Sequence, residues 1–232
     1  MDFYLCFMSP QELGKKSYSS AIYFVCLILC VLVISCKPSG KNSGTNQGIQ
    51  SDLKQSGRDT WQKPELVIDI LGDLSEKTVA DIGAGTGYFT FRMAFKAKKV
   101  IAVEIDPQMI DLIEVFQQNL PQQLEGKVEA RLVEADNPGL KPGEVDIAVI
   151  INTIAYIDNP IQYLSTLKQQ LNEGGYVMIV DFKKSYLPID APPMSERLSI
   201  EEVDNILSES GWTDVIANRS SLEYQYIITA YK

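Results

Sequence analysis

The sequence predicts an α/β fold, a doubly wound open sheet of seven strands that are mostly parallel and finish in a C-terminal antiparallel hairpin. Three observations carry that expectation. Nearly all-apolar runs such as VIAV (100–103) and IAVII (147–151) are short and bounded by polar residues, as strands covered on both faces are. A strand-like TVADI (78–82) breaks into a loop with glycines at 83, 85 and 87 before an apolar helical stretch begins near Tyr88. Such a loop deletes side chains so that backbone can approach a ligand at a helix N-terminus. The chain closes with WTDVIANR (212–219) and LEYQYIITAYK (222–232), two strand-like segments joined by Ser220-Ser221.

Composition narrows the function. A chain of 232 residues, 45% hydrophobic, is expected to hold one sizeable domain with a single core. The net charge of −9 argues against a nucleic-acid partner, since phosphate binding wants clustered Lys and Arg, and points to a small molecule instead. All four cysteines (6, 26, 30 and 36) fall in the first 36 residues, so the folded body has no thiol for a disulfide, a metal site or a nucleophile. Histidine is absent altogether, which removes Ser-His-Asp chemistry, His-ligated metals and the usual general base, and no metal is expected.

Taken in order, residues 1–36 stand apart. Lys15 and Lys16 precede a 14-residue apolar run, Ala21 to Ile34, too short for an ordinary membrane span and fitting an export signal. Val33-Ile34-Ser35-Cys36 resembles the lipobox of bacterial lipoproteins, which implies acylation of Cys36 and a membrane-anchored domain. An uncleaved N-terminal membrane anchor, with the domain facing the cytosol, is the other reading. Residues 37–57 are rich in Gly, Ser and Asn with few apolar residues, the composition of a flexible tether, and residues 58–232 form the folded body.

Within that body, Leu66, Val67, Ile70, Leu71 and Leu74 have helical spacing, with Pro64 suited to a first turn. After the glycine loop, a helix to about Lys96 leads to a second strand, Lys99 to Glu104. Asp106-Pro107 then supplies an N-cap and N1 residue for a helix with apolar Met109, Ile110, Ile113 and Phe116. Val128 to Glu134 alternates as a strand does, and Glu144 to Ile151 reads as a central strand with Asn152 at its tip. A helix from Pro160 to Leu171 is expected to stop at Gly174-Gly175, followed by a strand from Tyr176 to Asp181. Lys183 to Leu198 carries three prolines and no period, which suits either a substrate lid or a surface crossover. Ser199 and Glu202 form a capping box for the last helix.

The glycine loop alone also fits nicotinamide and flavin sites. DIGAGTG (81–87) followed by VEIDPQMI (103–110), however, with Glu104 placed 21 residues beyond Gly83, resembles the first two motifs of the class I S-adenosylmethionine-dependent methyltransferases, and the likeness runs over about residues 58–232. GAGTGYFT is similar to the small-molecule subgroup related to quinone-biosynthesis enzymes. The resemblance implies a Rossmann-like sheet, S-adenosylmethionine as cofactor and methyl transfer to a small-molecule acceptor. It implies that Gly83, Gly85 and Gly87 surround the methionine portion with Asp81 ordering the loop, that Glu104 takes the ribose hydroxyls and Asp136 the adenine amine, and that Asn152 lies beside the amino acid end. For Asp136, a solvated turn residue is the alternative. Trp61 and Gln62 border the substrate site or pack in the core. Related enzymes often carry histidines where this chain has Ala155 and Tyr156, so Tyr156, Asp158 and Asp181 are the candidates for removing a proton. A second class of function stays open, a non-catalytic exported domain that binds a nucleoside or another metabolite, because export separates the domain from cytosolic cofactor.

Overall fold

The computed structural model describes residues 57–232. The expected export segment, Cys36 and nearly all of the expected tether at 37–57 lie outside the described residues.

The body opens with two short helices where one was expected, α1 (Arg58–Gln62) and α2 (Pro64–Ile70). Pro64 separates them. The residue before a proline is pushed out of the helical region, and Lys63 takes φ 49°, ψ 62°. The order then is β1 (Thr78–Ile82), α3 (Tyr88–Ala94), β2 (Lys99–Glu104), α4 (Pro107–Gln117), β3 (Val128–Leu132), β4 (Val145–Ile151), α5 (Pro160–Gln170), β5 (Leu171–Phe182), α6 (Ile200–Glu209), β6 (Thr213–Asn218) and β7 (Gln225–Tyr231). The seven strands lie in the order β3-β2-β1-β4-β5-β7-β6. The first five in that row are parallel, and β7 runs antiparallel to both β5 and β6.

Alternation along the strands sends side chains to two layers. Val79, Val100, Ala102, Val149 and Val180 pack with Val67 and Ile68 of α2, Met93 of α3 and Ile113 of α4. Ala80, Ile101, Val103, Ile150 and Ile179 pack with Leu164 and Leu167 of α5 and with Val203 and Leu207 of α6. Asp106 caps α4 by accepting from the Gln108 amide, and the Ser199–Glu202 capping box opens α6.

One local feature departs from the sequence expectation, and a second adds to it. The Gly174-Gly175 pair does not stop α5; it forms an irregularity inside β5, where the register with β4 jumps from Val145↔Leu171 to Ile147↔Tyr176. Gly174 sits at φ +74°, and a Cβ on Gly175 would come within 2.7 Å of the Asp146 carbonyl oxygen, so both positions exclude larger residues. The 183–198 segment, for its part, is anchored. Arg197, 8% exposed, donates from Nε to the Pro192 carbonyl at 2.7 Å and from Nη1 to those of Ser185 at 2.8 Å and Lys183 at 3.2 Å.

Candidate functional site

In an open parallel sheet, a crevice forms at the carboxyl ends of the strands where the winding reverses, here between β1 and β4. The glycine loop turns over that crevice. Gly83 has φ +72°, and a Cβ there would strike the Thr153 side chain at 2.5 Å; one on Gly87, at φ +84°, would run into the Phe91 ring. A Cβ on Gly85 would meet nothing within 4 Å. The outer two glycines are therefore required by the protein's own packing, whereas the middle one leaves its space open on the cleft side.

The loop is tied to the next strand. Amides of Gly83 and Ala84 donate to the Val103 carbonyl at 2.9 and 3.1 Å, and the Gly85 amide donates to Glu104 Oε2 at 2.8 Å. Glu104 Oε1 accepts from the Ile105 and Asp106 amides at 2.8 and 3.1 Å, which fixes the carboxylate at the tip of β2. A carboxylate offers about four lone-pair positions, so one remains after these three bonds.

Two cavities meet at this point. A lobe of about 180 Å³ is lined by Glu104, Ile105, Ala135, Tyr156, Ile157 and Tyr163. A lobe of about 310 Å³ is lined by Arg58, Asp81, Gly85, Tyr88, Met109 and Asn152. Gly83 and Thr153 belong to both walls and mark where they join. A depression of about 400 Å³ near Gln117 and Gly126 is larger, but it sits by the amino end of β3 and has no buried charged side chain in its lining.

Asp81 is 3% exposed and its Oδ2 accepts from Thr90 Oγ1 at 2.6 Å. Burial pushes its carboxyl up to about 6, against the opposing effects of Thr90 and of the Arg58 charge. Arg58 crosses the same lobe from α1, with its guanidinium carbon 4.0 Å from the centroid of the Tyr88 ring; burial lowers its pKa below the usual arginine value, while Tyr88 and Asp81 oppose that. Its Nε donates to Gln62 Oε1 at 2.5 Å, Gln62 Nε2 donates to Gln225 Oε1 at 3.0 Å, and Gln225 Nε2 donates to Asn152 Oδ1. Asn152 itself has φ +58°, a left-handed conformation that asparagine tolerates better than most residues. Trp61 packs on Phe182 with ring centroids 5.7 Å apart, so it covers the end of β5.

The structure thus brings Asp81, Gly83, Gly85, Glu104, Asn152 and Tyr156 to the two lobes, while Gly87 caps α3 behind them. Asp136 is exposed on the turn after β3, next to Ala135, which lines the smaller lobe. Asp158 is likewise exposed and lines neither lobe. Asp181 is 4% exposed, with Oδ1 accepting from the Phe182 amide at 2.7 Å and Oδ2 without a partner among the described residues; burial pushes this carboxyl up to about 6 as well. Burial raises the Tyr156 hydroxyl above the usual tyrosine value, and the charges of Asp181 and Glu196 add to the shift. Sequence reasoning missed Arg58, Tyr88, Thr153 and Tyr163. Only Arg58, just ahead of Trp61 and Gln62 in the pre-strand helix, stood beside a segment already suspected of bordering the cleft.

Comparison with known proteins agrees with the geometry. Residues 60–224 match the family described as Methyltransferase domain. Magnesium-protoporphyrin O-methyltransferase of Rhodobacter capsulatus is 33% identical over 106 residues, which is 46% of this chain and 45% of that protein. A tRNA U34 carboxymethyltransferase of Actinobacillus succinogenes is 24% identical over 179 residues, 72% of this chain and 54% of the relative. The chain therefore spans about half the length of these curated relatives. Among solved structures, an S-adenosylmethionine-dependent methyltransferase from Aquifex aeolicus superposes with a TM-score of 0.71 at 24% identity, covering 78% of this chain and 95% of its own. With the family matched over most of the chain and the glycine loop and strand-tip acid in place, the chain belongs to the methyltransferase-domain family, and its sheet has the fold of the Aquifex aeolicus enzyme.

Proposed function

We propose that this protein transfers the methyl group of S-adenosylmethionine to a small-molecule acceptor. The observation that carries the reading is the two-lobed cleft, with a fixed carboxylate in one lobe and a cation and a buried acid in the other, joined under the glycine loop. Its shape suits a nucleoside at Glu104 and an amino acid end at Arg58, Asp81 and Asn152. The open space beside Gly85, where a Cβ would meet nothing within 4 Å, supports this reading.

When bound, the sulfonium supplies a methyl group that is already activated. What remains for the protein is to bind, orient and exclude water, and positioning of that kind can supply most of the rate enhancement. Glu104 orients the ribose. Ile105 and Ile157 offer apolar contact to the base, and the Tyr156 hydroxyl stands at the same lobe to orient an acceptor. A chain without histidine is adequate for this chemistry.

An acidic chain favours a small acceptor over tRNA, although several relatives are named as tRNA U34 carboxymethyltransferases. The likeness to the quinone-biosynthesis subgroup and to an enzyme named for magnesium-protoporphyrin both favour a ring-bearing, largely apolar acceptor. Anchoring through an acylated Cys36 belongs to the same proposal, resting on Lys15, Lys16 and the VISC motif. It predicts palmitate incorporation that Cys36→Ala abolishes.

Calorimetry with S-adenosylhomocysteine tests the cofactor site. Glu104→Ala is expected to weaken binding about 10- to 100-fold, the worth of hydrogen bonds to a charged group. Unchanged affinity would exclude the ribose role. Binding without turnover on any small acceptor would favour the non-catalytic reading.

A further inference from the structure

The polar chain from Arg58 to Asn152 has a direction, and the direction determines what the cleft presents to its ligand. A side-chain amide has an oxygen and a nitrogen of nearly the same shape, so packing alone does not choose which one faces a neighbour. Here the choice is made at one end. A guanidinium can only donate, so Arg58 Nε draws the Gln62 oxygen to itself and turns the Gln62 NH2 toward Gln225. Gln225 must then accept from Gln62 with its oxygen and donate onward to the Asn152 oxygen. Gln62 and Gln225 are both 0% exposed, so neither can exchange its partner for water.

We propose that Gln62 and Gln225 are positioning residues that hold the Asn152 amide with its nitrogen toward the larger lobe, making that wall, together with Arg58, a set of donors that selects a carboxylate. This rests on the reading of the cleft as an S-adenosylmethionine site and deepens it. The amino acid end is oriented with its carboxylate toward Arg58 and Asn152 and its ammonium toward Asp81, the acid of the same lobe. The two glutamines do this without lining the lobe, and Gln62 acts from two amides away.

The test is calorimetry on the full chain with two probes, S-adenosylhomocysteine and 5′-methylthioadenosine, which keeps the nucleoside and lacks the whole amino acid end, carboxylate and ammonium together. Gln62→Glu is isosteric, sits against Arg58, and offers only acceptors, so Gln225 must turn to donate toward it and Asn152 must turn its oxygen to the lobe. S-adenosylhomocysteine should then bind about 10- to 100-fold more weakly, and 5′-methylthioadenosine should change by less than about twofold. Gln62→Met, which breaks the chain without reversing it, should give a smaller loss. If Gln62→Glu does not fold, Gln225→Glu makes the same reversal one link nearer and is read against the same two probes. Equal losses for both probes, no loss for either, or a methionine variant worse than the glutamate variant would overturn the proposal. Failure of the unaltered protein to bind either probe would instead remove the cofactor reading beneath it.

Discussion

Asp81 and Asp181 stand near the carboxyl ends of two strands in one sheet, 3% and 4% exposed, and burial pushes each carboxyl up to about 6. They differ in what surrounds them. Asp81 has a hydroxyl donor in Thr90, faces a cavity of about 310 Å³ and shares it with Arg58. Asp181 has one backbone donor, one oxygen without a partner and no share in either lobe, with Arg197 as the favourable charge near it. Equal burial therefore accompanies two different settings: an acid that faces an open cavity, where the proposed ligand would bring its ammonium, and an acid shut in at the foot of an anchored loop. A perturbed carboxyl identifies a site only in company with space and partners.

The comparison is broken most forcefully from the loop side. Arg197→Met should destabilise the protein by about 3 kcal/mol, because three carbonyls lose their donor and the 183–198 segment loses its anchor. The urea midpoint measures this, and a change under about 0.5 kcal/mol would show that the segment is held by other contacts. Asp81→Asn attacks the other side. It keeps the shape and removes the charge, so S-adenosylhomocysteine should bind about 10- to 100-fold more weakly, whereas Asp181→Asn should leave affinity within about twofold. Matching losses from the two variants would erase the distinction drawn between the acids.

Acidity sharpens the same contrast. Both carboxyls have folded values near 6, above the usual aspartate value near 3.9, so the folded state holds protons that the unfolded state has released between about pH 4 and 6. Lowering the pH from 7.5 to 5 should therefore stabilise the unliganded protein through these two groups. Ligand binding runs the other way. An ammonium beside Asp81 favours its charged form, so the complex holds fewer protons than the free protein and affinity should fall as the pH drops through about 6. A flat affinity profile from pH 5 to 7.5 would separate Asp81 from the ligand's charge.

What could be read in the chain itself followed how local each feature is. The glycine loop and Glu104 lie within one βαβ unit, so spacing alone carries them, and the alternating layers follow from apolar runs. The antiparallel end was also legible, because Ser220-Ser221 separates two strand-like segments. Gln62 and Gln225 are 163 residues apart and meet only when the sheet closes over α1, a contact that no periodicity encodes. The glycine pair at 174–175 misled for a different reason: two glycines after a helical stretch have the composition of a helix stop, and only the pairing of β4 with β5 shows that they absorb an extra loop of chain inside a strand. Asp136 has the residue type for an adenine contact, and its place on the turn beside Ala135 follows from the end of β3, which spacing alone locates only to within a residue or two.

The smallest expected effect is also the one most specific to the buried acid. At pH 7.5 the charged form of Asp181 is held in the fold against its burial. Asp181→Asn can keep the bond from the Phe182 amide with its oxygen and places a neutral nitrogen where Oδ2 now has no partner. That nitrogen is itself an unsatisfied donor, which offsets part of the benefit, so the net gain should be about 1 kcal/mol rather than the roughly 3 kcal/mol that a rise from near 3.9 to about 6 represents. Near pH 5 the native carboxyl is already mostly neutral, and the advantage of the amide should disappear. A thermal melt at each pH reads both parts of this expectation. A gain that persists unchanged at pH 5 would mean that charge is not what the substitution relieves, and Asp181 would then differ from Asp81 in packing alone.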